Sequence, residues 1–192
     1  FIDNEKQDEL FYTWIAAPPG ANEQAWLESK LAASNKPFKI VSMHHPLVSF
    51  NEHSGDWDNE DFGRDLVEKR KRMIRLLMKY NVRIVFCGHE HLYEHNIIRP
   101  GDREKNQEMP LHVIVTGGGG VPLRRKSSSE HIEKCLDNFA GQGLDVIQEA
   151  SEEIHHFCLV TVDTEKVTVN VHEVTENAEK TRLQDQIVID YH

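Results

Sequence analysis

The 192-residue chain predicts an α/β fold, and three observations carry the prediction. Apolar runs at Phe38–Met43, Val82–Cys87 and Leu111–Val115 are too brief for helices and read as strands. Between the first two lies Arg64–Tyr80, where Leu66/Val67, Met73/Ile74 and Leu77/Met78 recur at helical spacing. With Phe1–Asp3 read as a strand stub before an earlier helix, strand–helix–strand occurs twice. That is the pattern of right-handed crossovers and a largely parallel sheet.

The elements follow in order. Ala17-Pro18-Pro19-Gly20 is a break, after which Asn22 caps a helix running to about Ala33. Glu23 suits its first turn, Trp26, Leu27 and Leu31 form its buried stripe, and Asn35-Lys36-Pro37 ends it. The Phe38 strand delivers His44-His45-Pro46 to its C-terminal end, where Pro46 has no N–H for a ladder. Val48–Gly63 is polar, with Asn51, His53, Asp56 and Asp58, and reads as a long surface loop of the functional kind. The charged side of the next helix (Glu68, Arg70, Lys71, Arg72, Arg75) reads as a solvated face. The Val82 strand stops on Gly88, and His89-Glu90-His91 follow at once. Leu111–Val115 runs into Thr116 and Gly117–Gly120, which serve either a close backbone approach or a turn with positive φ. Val121–Glu153 yields only a short helix near His131–Phe139. Phe157–Val162 and Val167–Val174 pair as a hairpin around Asp163–Lys166, and Ile187–Ile189 is a last strand.

Composition narrows the partners. A net charge of −10 argues against nucleic acid or an anionic membrane surface, and an anionic substrate would need local cations. No apolar run approaches the ~20 residues of a membrane span. Three cysteines (Cys87, Cys135, Cys158) have no metal-type spacing and define no disulfide framework. The chain opens Phe1-Ile2-Asp3 without a methionine, so it reads as a processed product or as part of a single domain spanning 1–192 and more.

Two strand ends, a helix apart, each present histidine: His44/His45 and His89/His91. C-terminal strand ends are where open α/β sheets build ligand sites, and neutral imidazole is the commonest metal ligand. In extended chain His89 and His91 would face the same way, toward one ion or a close pair. A hydrolytic two-metal site also needs a bridging carboxylate, and apart from Asp3 no Asp or Glu occupies a comparable strand end. Two other histidine pairs are set aside. His91 and His95 have the i, i+4 spacing of a zincin, but Leu92 stands where its general-base Glu belongs. His155-His156 abuts a strand start and reads as structural.

Met43-His44-His45-Pro46 and, some forty residues later, Gly88-His89-Glu90-His91 resemble the last two motifs of the calcineurin-like metallophosphoesterases, His-x-Pro and Gly-His-x-His. The Trp26-Leu27 helix and the Thr116–Gly120 turn resemble members of that superfamily too, so the likeness covers about residues 1 to 175. It implies a four-layer α/β/β/α sandwich, of which this chain would be the C-terminal part: one sheet with its helices and part of a second. It implies that His44 and His89 ligate one metal and His91 the other, with His45 at a variable position. His53, nine residues past His44, coincides with a histidine that purple acid phosphatases use on the substrate phosphate or the leaving group. The implied reaction is hydrolysis of a phosphate ester, with a phosphorylated small molecule or other phosphoester as substrate. The implied cofactors are two divalent or trivalent transition-metal ions (Fe, Mn or Zn). The family's Asp-x-His, Gly-Asp and Gly-Asn-His motifs do not precede His44 here, so the carboxylate half is expected in a missing N-terminal part of the domain, and the isolated chain is expected to be inactive. The alternative is a non-catalytic metal-binding or structural fragment.

Overall fold

A computed structural model describes residues 23–58, 66–99, 109–175 and 180–190. Its elements are α1 (Glu23–Ala33), β1 (Lys39–Ser42), α2 (Leu66–Lys79), β2 (Val82–Cys87), β3 (Tyr93–Arg99), β4 (Leu111–Thr116), α3 (Ser129–Gly141), β5 (Asp145–Glu152), β6 (His156–Val162), β7 (Lys166–Val174) and β8 (Thr181–Asp190). One sheet has the order β1-β2-β4-β3-β5 and the other β6-β7-β8. The Phe1–Asp3 strand, the Ala17–Gly20 break, the Asn22 cap and the start of the Arg64 helix lie outside the described residues.

Alternation along the strands builds two cores. In β2, Val85 and Cys87 pack with Leu27, Leu31, Met73, Leu77 and Phe139 from the helices, whereas Ile84 faces the second sheet. There it meets Tyr93, Ile114 and the inner face of β7, where Val167, Val169 and Val171 are wholly buried. Each such valine contributes roughly 1.5–3 kcal/mol by leaving water. The result is helices, sheet, sheet in layers. This is the α/β architecture expected, with two sheets and their helices.

Three expectations need correction. The first sheet is mixed: β1–β2 and β2–β4 are parallel, but β3 runs antiparallel to β4 and β5. Strands β3 and β5 carry too few apolar residues to be read as strands. In β3 the buried side chains include Glu94, His95 and Asn96. The stretch after Val48 is no simple surface loop, because Leu47, Val48 and Phe50 are at most 1% exposed. Buried backbone requires partners, and β3 supplies them: Phe50 N donates to Glu94 Oε1 at 3.1 Å, and Asn96 Nδ2 donates to the Val48 carbonyl at 3.3 Å. Finally, Arg70 is completely buried rather than solvated. Its guanidinium lies over the Trp57 and Phe139 rings and bonds Asp58 and Gln142.

Candidate metal centre

Parallel pairing of β1 and β2 brings the two histidine motifs to one edge. Met43 N donates to the Phe86 carbonyl and Gly88 N to the His44 carbonyl, both at 2.9 Å, so register persists past the strand ends. His44 Nε2 lies 3.1 Å from His89 Nδ1. His89 has φ of +68°, a conformation that costs a non-glycine residue energy and clusters at functional sites. The tight turn from Glu90 N to the Gly88 carbonyl, 2.9 Å, holds it there. Residues 88–92 are therefore bent, and His89 and His91 do not share an extended face. Gly117 makes this turn possible from the other side: a Cβ there would fall 1.9 Å from the Glu90 carbonyl oxygen.

The segment after Pro46 supplies the rest. His53 N donates to buried Glu90, and Trp57 Nε1 donates to the Pro46 carbonyl at 2.7 Å. Asp58 accepts from Arg70, from Asn138 and, at 3.0 Å, from Gln142 Nε2. Pinned at Trp57 and Asp58, the 3₁₀ turn Asp56–Asp58 presents Asp56 inward. Its Oδ2 is 3.0 Å from His53 Nδ1 and 3.2 Å from His89 Nε2. The His53 ring centroid lies 3.8 Å from that of His89, and that of His45 lies 4.2 Å away.

Two sets of donors result. His44, His45 and His89 place ligand atoms within 4.8 Å of one another, and so do His53, Asp56 and His89. They share His89, whose Nδ1 faces His44 and whose Nε2 faces Asp56. The electrostatics suit a cation. Burial, then the neighbouring imidazoles, lowers His44 and takes His45 down to about 3, which keeps these rings neutral and their lone pairs available. Burial raises the Asp56 carboxyl, but the hydrogen bond from His89 and the charges of His53, His89 and His45 outweigh it and hold it below the usual range. Neutral imidazoles with one carboxylate are a first-row transition-metal donor set, and the residues present fit such an ion.

Of the sequence-predicted residues, His44, His89 and His53 come together. His91 belongs to neither set, although its carbonyl accepts from Arg124 N at 3.1 Å. His45 and Asp56 join the cluster without having been singled out as ligands. Asp56 sits on a turn rather than at a strand end, and only its spacing of three from His53 was available as a signal. Arg124 also escaped notice: its Nη1 donates to His53 Nε2 from a segment the sequence left unordered. His155 and His156 lie elsewhere, their Nδ1 atoms donating to the Gly118 and Ile154 carbonyls at 3.1 and 3.0 Å.

The family model for calcineurin-like phosphoesterases matches residues 4–93. Probable purple acid phosphatase 20 of Arabidopsis thaliana is 26% identical over 140 residues, covering 69% of this chain and 31% of that protein. Purple acid phosphatase 22 of the same plant is 26% identical over 130 residues, covering 64% of this chain and 28% of its own length. The structure of purple acid phosphatase PPD1 from yellow lupin seeds matches with a TM-score of 0.61 at 20% identity, over 90% of this chain and 28% of that one, a likeness of fold. The chain thus spans less than a third of the length of these curated relatives. Over residues 4–93 the chain is thus similar to the calcineurin-like phosphoesterases, in sequence it is similar to purple acid phosphatases, and in fold it is like the lupin enzyme.

Proposed function

We propose that this chain carries the histidine side of a metal centre in a phosphoesterase, and that the whole protein hydrolyses a phosphate ester. The observation that supports this best is the 3.1 Å approach of His44 Nε2 to His89 Nδ1 at neighbouring parallel strand ends, in a chain related to phosphatases. In this reading His44 and His89 hold one ion and His91 the other, of two iron, manganese or zinc ions. Bound there, such ions would supply electrophilic pull on the phosphoryl oxygens and an activated water. The protein's own groups do the rest. Asp56 Oδ2, within 3.2 Å of both His53 and His89, fixes the orientation of both rings. His53 stands over the centre to orient the phosphoryl group or hand a proton to the leaving oxygen. With Nδ1–H on Asp56 and Nε2 accepting from Arg124, it must first release Arg124 and take up a proton at Nε2 to act as the proton donor. None of the family's carboxylate-bearing motifs precedes His44 in the 192 residues. The bridging carboxylate is accordingly assigned to sequence upstream in the whole protein.

Metal content and p-nitrophenyl phosphate turnover test this on the chain alone and on the protein extended upstream. The expected result is metal in both and turnover in the longer form only. Turnover by the 192 residues alone would contradict the assignment of the carboxylates. Absence of metal from both would leave a structural role.

A further inference from the structure

We propose that Arg124 is the residue by which this centre grips a phosphoryl oxyanion; the inference deepens the phosphoesterase reading and rests on it. Arg124 lies beyond the stretch matched by the family model, between β4 and α3. Its backbone is fixed to the metal-site turn, since its N–H donates to the His91 carbonyl at 3.1 Å. The side chain reaches the cluster itself. Nη1 donates to His53 Nε2, lies 3.1 Å from Glu52 Oε2, and stands 4.0 Å from buried Glu90 Oε2. All these contacts use one nitrogen. The side chain is 25% exposed, so the guanidinium is reachable from solvent.

A guanidinium held at Nη1 still has an Nη2–Nε edge with two parallel N–H groups. That is the fork which matches two oxygens of a phosphate. Glu52 already shows that the guanidinium takes an oxyanion here, and Glu52 is 66% exposed, so its ion pair is weak and readily exchanged. The neighbouring cation is less suited, because Lys126 Nζ is engaged by Glu152 at 3.1 Å. In a chain of net charge −10, a fixed guanidinium against the histidine cluster gives an anion a local reason to bind.

Inorganic phosphate is the probe, titrated calorimetrically into the full chain in metal-free and manganese-loaded forms, with manganese binding measured separately. Arg124→Ala is expected to weaken phosphate on the order of tenfold or more, the loss of a charge-assisted contact, while leaving manganese affinity within about twofold. Arg124→Lys should restore part of the loss. Glu52→Gln should tighten phosphate, and Arg125→Ala, which removes an equal charge from an exposed neighbour, should change little. If Arg124→Ala does not fold, the Lys and Glu52 variants decide: phosphate affinity unchanged in both overturns the proposal. So does a wild-type chain that binds no phosphate in either form, or equal losses from Arg124→Ala and Arg125→Ala. Arg124-dependent phosphate binding by a chain that takes up no manganese would sink the phosphoesterase reading and leave the Arg124 assignment standing.

Discussion

Asp56 carries more of the site's geometry than its place in a polar loop advertises. One oxygen faces two imidazoles, at 3.0 Å from His53 and 3.2 Å from His89, so a single carboxylate sets the direction of both rings. Groups that orient metal-ligating histidines usually account for 10–100-fold of metal affinity. Asp56→Asn keeps the shape but gives up the charge, and manganese or zinc affinity measured by calorimetry should fall by about that factor. An unchanged isotherm would remove Asp56 from the site. Arg70 works one step further out. Buried between Trp57 and Phe139, it bonds Asp58 and so anchors the turn that presents Asp56. Neither role was legible in the sequence. A lone Asp three residues from a His is a common spacing, and an Arg among Lys and Arg neighbours on a helix looks solvated.

At the scale of elements, what could be read was what apolar side chains announce. β2, β7 and α2 bury Val, Ile, Leu and Met at the expected periods, β1 buries Val41, and the bounds of these elements fall within a few residues of those expected. β3 could not be read because its burial is polar. Glu94 sits wholly inside and accepts from Phe50 N, from Asn51 Nδ2 and, at 3.1 Å, from Gln148 Nε2. β5 is a largely polar edge strand beside it. Burial raises the Glu94 carboxyl from 4.5 to about 7, against the lowering effect of the Phe50 N–H. The folded state then holds a proton that the unfolded chain sheds above about 4.5. Stability is therefore full below that pH and falls as pH rises through 7, by up to ~3 kcal/mol. Glu94→Gln cannot titrate, so urea denaturation at pH 5 and pH 8 should differ less in the variant than in the wild type. Equal pH dependence in both would mean that Glu94 is not the buried acid described.

On the scale of the whole molecule, the fold does one thing for function: it sets two parallel strand ends side by side and closes over them from two directions. The segment after Pro46 packs down through Trp57, Asp58 and buried Glu90 and Glu94, while the turn after β4 fits Gly117 against the Glu90 carbonyl. The His-x-Pro and Gly-His-x-His motifs were legible because they follow apolar strands. The residues that surround them come from segments whose order depends on contacts distant in sequence. The central claim is that imidazoles at these two strand ends share a cation. Zinc or manganese titration of the wild type, His89→Ala and His156→Ala tests it most directly. The account predicts one or more sites in the wild type, their loss in His89→Ala, and retention in His156→Ala. Equal losses in both variants, or no binding in the wild type, would contradict it.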